Sequence, residues 1–159
     1  MFNVGDYAVF PSHGVARITG VEKKDMYGLA EDYYVLEIVD KKSKVLVPVK
    51  KAEGIGLRRI IPPTKVEAVY NILRTKKPII LGSNWKQRYK QYWDRLRTGS
   101  IVETAKVLRD LHNISLSKGL SFGERKIYET AMLQLSTEIS IAKKIDVTKA
   151  EAEIRSTFN

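Results

Sequence analysis

The stretch Ile61-Pro62-Pro63-Thr64-Lys65-Val66-Glu67 divides the chain into two textures. Proline lacks the N–H that a strand ladder needs, and it pushes the residue before it out of the helical region. Just beyond the Pro pair, Thr64 and Glu67 have the S/T-x-x-E spacing of a helix start. In that motif a hydroxyl and a carboxylate satisfy opposite orphan N–H groups. The sequence before this point reads as short strands, and the sequence after it reads as helix.

Working upstream, Val4-Gly5-Asp6-Tyr7-Ala8-Val9-Phe10 alternates around a turn, and Gly14-Val15-Ala16-Arg17-Ile18-Thr19-Gly20-Val21 is β-branched between glycines. Tyr33 to Val39 and Lys44 to Val49 follow, with a shorter candidate at Ile55 to Ile60. Four or five short strands joined by Gly, Asp and Lys turns predict a small curled sheet or barrel. Pro48 cannot donate to a ladder, which marks its strand as an edge.

Working downstream, Ser100 with Glu103 and Ser121 with Glu124 repeat the capping-box spacing, and Asn84 with Gln87 is a weaker version. Asp146, or Thr148 with Glu151, opens a last helix, while Gly99 and Gly119 stand where helices stop. The spacing predicts helices near 64–75, 84–98, 100–118, 121–143 and 146–157. Ile127, Ala131, Leu135 and Ile139 supply one apolar stripe of the fourth, enough for a small bundle. The expected fold class is α+β, with a β domain over 1–61 and an all-α domain over 62–159.

Composition narrows the chemistry. The 159 residues allow one ordinary domain or two small ones, and 43% apolar content is enough to build cores. The absence of Cys excludes disulfides, thiolate nucleophiles and Cys-built zinc sites, and two His are too few for a His metal cage. No run of 18 apolar residues is present, so no membrane span is expected. The start Met1-Phe2-Asn3-Val4-Gly5-Asp6 lacks the basic and apolar regions of a secretory signal, so a cytoplasmic location is expected. Gly54-Ile55-Gly56 lacks the third glycine of a dinucleotide fingerprint, and no Walker loop occurs. His13 lies in the turn Pro11-Ser12-His13-Gly14 without an orienting carboxylate. No catalytic residue, metal ligand or cofactor is expected.

The charge points to a polyanionic partner. The chain carries 28 Lys+Arg against 18 Asp+Glu, a net charge of +10, and residues 62–159 hold +8 of it. Arg74, Lys76, Lys77, Lys86, Arg88, Lys90, Arg95 and Arg97 face only Asp94, so residues 74–97 hold +7. Concentrated charge favours counterion release from a phosphate backbone. On the predicted second helix, Trp85, Tyr89, Tyr92, Trp93 and Leu96 fall in one sector, flanked by Lys86, Lys90 and Arg97 on one side and by Arg88 and Arg95 on the other. Most of that stripe must dock the helix on its bundle. Trp85, in the first turn, has two readings: it belongs to the core, or it overhangs the bundle beside the cations and stacks on or wedges against a base.

The same residues give the chain a family likeness. Val4-Gly5-Asp6, Phe10-Pro11-Ser12-His13-Gly14-Val15, Tyr33-Tyr34-Val35-Leu36, Val47-Pro48-Val49 and Gly56-Leu57-Arg58 carry it in the first half. Asn84-Trp85, Arg88-Tyr89-Lys90, Val107-Leu108-Arg109-Asp110-Leu111 and Lys118-Gly119-Leu120-Ser121 carry it in the second. On these motifs, nearly end to end, the chain resembles the CarD/CdnL family of bacterial RNA-polymerase-binding transcription regulators. The first-half motifs are shared with a Tudor-like module of the transcription-repair coupling factor; Asn-Trp followed by Arg-Tyr-Lys narrows the likeness to this family.

The resemblance implies a Tudor-like or SH3-like β-barrel that docks on the RNA polymerase β subunit by its strand edge, with Lys24, Leu46, Val47 and Pro48 as contacts. It implies a helical domain that binds promoter DNA at the upstream edge of the bubble. There Trp85 wedges into the minor groove while Arg88 and Lys90 hold the backbone. Lys86 joins them on charge alone. The result is a monomeric, nucleoid-associated, non-enzymatic regulator that stabilises the open complex, with no membrane partner. The alternative is a freestanding sequence-nonspecific DNA- or RNA-binding module.

Overall fold

A computed structural model describes residues 1–158 apart from 77 and 79–81. The chain forms two compact units, Met1–Ile60 and Ile61–Asn159. Lys77 of the predicted basic cluster lies outside the described residues.

The first unit is an antiparallel five-stranded sheet. Its strands are β1 (Tyr7–Phe10), β2 (Gly14–Met26), β3 (Leu29–Ile38), β4 (Lys44–Pro48) and β5 (Arg58–Arg59), in the order β4-β3-β2-β1-β5. Alternation decides what is buried: Ile18, Tyr34, Leu36, Ile38 and Val47 point to one side and close the core with Ala8 and Ala16. The Tyr34 hydroxyl reaches the chain start, where it accepts the Phe2 N–H at 3.1 Å. β2 runs five residues past its expected end at Val21, and β3 begins four residues before Tyr33. That outer half of the hairpin is exposed on both faces, so it carries no apolar alternation to announce it.

The second unit is a five-helix bundle of α1 (Val66–Arg74), α2 (Trp85–Arg97), α3 (Ile101–Ser117), α4 (Phe122–Lys143) and α5 (Val147–Ser156). α4 packs against α2, α3 and α5, and α1 packs on α3. Leu73, Leu108, Leu111, Ile127, Leu135, Ile139 and Ile154 are fully enclosed. Each such side chain contributes about 1.5–3 kcal/mol of burial free energy.

The helix starts differ in how they are capped. Ser121 and Glu124 form the complete reciprocal box. Ser100 accepts the Glu103 N–H, but the Glu103 carboxylate turns to Arg95 instead of back to Ser100. Thr64 does not cap at all. Pro62 and Pro63 start a 3₁₀ turn, Pro63–Lys65, which places Thr64 inside the turn; Glu67 bonds Arg74 at 2.7 Å instead.

At the α1–α4–α5 junction, Glu153 accepts Lys143 Nζ at 2.5 Å and the Tyr70 hydroxyl at 2.8 Å. The Lys143 ammonium is the main cause that holds the Glu153 carboxyl below its usual value of 4.5. A depressed carboxylate contributes stability above the unfolded pKa, and that stability is lost as pH falls through the lower folded value. Glu153→Gln is therefore expected to lower neutral-pH stability by about 1 kcal/mol or less and to flatten the loss of stability on acidification below about pH 4.5. Thermal melts between pH 7 and pH 3 check both.

Candidate nucleic-acid interface and open strand edge

The entry to α2 is fastened locally. Asn84 caps the helix by accepting the Gln87 N–H at 2.9 Å, and the Gly82 N–H donates to Gln91 Oε1 at 2.8 Å. From this fixed start three aromatics run up the helix at four-residue spacing. Trp85 and Tyr89 have ring centroids 5.5 Å apart, and Tyr89 meets Trp93 edge-on at 6.2 Å. Trp93 packs on the core with Arg97 over its ring at 5.9 Å, whereas Trp85 is 40% exposed. The expected apolar stripe is thus graded. Tyr92 and Leu96 are buried, Trp93 is half-buried, and Tyr89 and Trp85 emerge. Burial, with the charges of Asp110 and Glu124 adding to it, pushes the Tyr92 hydroxyl up to about 12, so it stays protonated.

The support for Trp85 comes from the first turn of α4. A Cβ on Gly123 would stand 3.3 Å from Trp85 Cζ2 and 3.2 Å from Tyr89 Cε2, so both rings lie against bare backbone. Its chain neighbour Phe122 is 85% exposed, and Arg125 and Lys126 follow on the exposed face of the same turn. The sequence reading missed this second helix start as part of the site, because only packing joins residues 85 and 123. Gly123→Ala is expected to displace the indole by a few tenths of an ångström. The helix propensity gained, up to about 1 kcal/mol, offsets the crowding. Indole fluorescence should shift while the unfolding midpoint barely moves.

The expected cations do not all behave alike. Lys86 is exposed and makes no ion pair among the described residues. Lys90 pairs with Asp94 at 2.5 Å, and Arg97 shares the same carboxylate at 3.4 Å. Those contacts hold Asp94 below its ordinary carboxylate range, the Lys90 hydrogen bond first. An exposed pair of this kind is weak. Arg88 bends back to donate to the Ser83 carbonyl at 2.9 Å, and it lines a hollow of about 410 Å³ with Tyr92, Asn113 and Ser117. It therefore lies on the α3 side of α2, whereas Trp85 leans on α4. Arg95 is paired with Glu103.

In the first unit, β4 ends the sheet. The Ile38 N–H donates to the Ser43 carbonyl at 2.8 Å, which sets the alternation of the antiparallel ladder. Pairs Leu36–Val45 and Tyr34–Val47 then exchange hydrogen bonds, while Lys44, Leu46 and Pro48 turn their backbone groups to the open edge. Pro48 occupies a position where a missing N–H breaks no ladder bond. Leu46 is 40% exposed. Val47 differs from the other residues of the expected contact set. Its side chain is 2% exposed in the core and its backbone pairs with Tyr34, away from the open edge. By register, on the face opposite Tyr34 and Leu36, Pro48, Tyr33 and Glu22 form one row, Leu46, the buried Val35 and Gly20 another, and Lys24 with Glu31 a third. Lys24, Leu46 and Pro48 thus share a face, although Lys24 is two strands away and pairs with Glu22 at 3.8 Å.

Residues 2–61 match the CarD-like/TRCF RID domain, and residues 68–155 match the CarD C-terminal domain. The chain belongs to the CarD family. It is 31% identical over 145 residues to the Bacillus subtilis protein named "Putative transcription factor YdeB", covering 91% of this chain and 94% of that one. It is also similar to the solved structure of CdnLNt from Myxococcus xanthus, at 36% identity and TM-score 0.34, covering 38% of this chain and 86% of that one. As a CarD-family protein it is a transcription regulator with a Tudor-like RNA-polymerase-interacting domain joined to a helical CarD domain. No helix among its described residues is long and apolar enough to cross a membrane.

Proposed function

We propose that this regulator bridges the RNA polymerase β subunit and promoter DNA, and that it stabilises the open complex by wedging Trp85 into the minor groove at the upstream edge of the bubble. The observation that carries this is the indole itself, 40% exposed at a helix start and braced on Gly123. Lys86 follows it in the chain and is exposed, and Phe122 and Arg125 are exposed in the helix turn that holds Gly123. A bubble edge is a frayed step, cheaper to wedge than intact duplex, where unstacking costs about a few kcal/mol. The protein acts as a monomer and performs no chemistry. It binds the melted state better than the closed one and so shifts the population.

The open edge of β4 supplies the other half. Leu46 and Pro48 present outward backbone and side chains for strand addition by the polymerase, with Lys24 as a flanking charge. Lys86, Arg88 and Lys90 hold phosphates, once Lys90 has exchanged Asp94 and Arg88 has released Ser83. Tethering by the polymerase raises the effective DNA concentration, so neither contact need be strong alone. The test compares binding of the full chain to free promoter DNA and to the polymerase–promoter complex. Much tighter binding to the complex is expected. Equal affinity for free DNA would favour a freestanding nucleic-acid-binding module instead.

A further inference from the structure

The β2–β3 hairpin runs past the rest of its sheet. β1 pairs with β2 only up to Arg17, and β4 pairs with β3 only from Tyr33 onward, so residues 23–32 form a two-stranded ribbon. Met26 and Leu29 close it across the two-residue turn Tyr27-Gly28, whose φ angles are +54° and +76°. Two positive φ values make a type I′ turn, which favours Asn-Gly. Gly28 suits its place. Tyr27 does not, because a bulky side chain at positive φ is strained. Its ring is also 98% exposed, so no packing offsets that strain. Leu29 stands exposed beside it, on the outward face shared with Lys24, Tyr33 and Leu46. An aromatic held in water against its backbone preference has the form of an interface anchor.

Charge selects the occupant. The ribbon, residues 23–32, carries Lys23 and Lys24 against Asp25, Glu31 and Asp32, and with the adjoining Glu22 the net is −2 in a chain of +10. A polyanion is repelled there, whereas a protein hollow with an apolar floor and a basic rim is attracted. The outward face is continuous by register from the ribbon to Leu46 and Pro48 at the open edge. We propose that Tyr27 is the anchor of a second polymerase contact, inserted into an apolar hollow with a basic rim beside the strand that adds to β4. This rests on the polymerase-binding reading above.

Tyr27→Asn separates anchoring from folding, because Asn is favoured where Tyr is strained. The full-length variant should melt at the same temperature or higher and yet bind RNA polymerase about tenfold more weakly or worse. Its affinity for free DNA should not change. A folded variant that binds polymerase as tightly as the parent overturns the Tyr27 proposal alone. A loss of DNA binding instead overturns the choice of occupant. A parent chain that fails to bind polymerase removes the wider reading and this proposal with it.

Discussion

Trp85→Ala is expected to shorten the lifetime of promoter open complexes about tenfold while the helical unit stays folded. Stacking of one aromatic on one base is worth about 1–3 kcal/mol, and about 1.4 kcal/mol corresponds to a factor of ten. The fold loses far less. Trp85 is exposed at the end of a ladder whose anchor is Trp93, and the enclosed side chains of the bundle lie elsewhere. A stability change of about 1 kcal/mol or less is the corresponding expectation. Open-complex decay after a competitor challenge, measured beside a thermal melt, reads both quantities. Trp93→Ala should behave in the opposite sense, with a larger loss of stability, because that ring packs against the core.

Leu46→Pro is expected to weaken polymerase binding about tenfold or more with little change in DNA binding. The ladder alternation turns the Leu46 N–H to the open edge, so proline takes nothing from the β3–β4 pairing. It removes a donor that an added strand needs, along with part of an exposed apolar contact. Pro48 already occupies an outward position of the same strand, so the edge tolerates the ring. Val47→Pro is the informative opposite: it deletes a bond to Tyr34 and a core side chain, and the first unit should lose stability. Titration of polymerase against the full-length variants distinguishes the two.

How much of this was legible in the sequence depends on whether the deciding contact is local. Helix starts were legible because capping is settled within four residues, as at Ser121 and Glu124. Thr64 failed because an adjacent Pro pair opened a 3₁₀ turn, a competition that spacing alone does not rank. The outer hairpin went unread because a ribbon wetted on both faces has no apolar period, and its turn carries Tyr where Asn or Gly would have signalled it. Leu46 and Val47 were distinguishable in principle, since the alternation of Val45 and Val47 against Lys44 and Leu46 already sets the parity. The first-turn position set Trp85 apart from Trp93 but left both a core and an overhanging reading open. Both lie in one helical sector, and only the bare backbone at Gly123, on another helix, shows that the first ring rests at the rim.

The most direct measurement is the dissociation rate of preformed polymerase–promoter open complexes, with and without the chain, at a saturating concentration. A bridging wedge predicts slower decay with the parent chain and decay at the chain-free rate with Trp85→Ala. Equal decay for the parent chain and for no chain at all, despite confirmed binding to the polymerase, would contradict it.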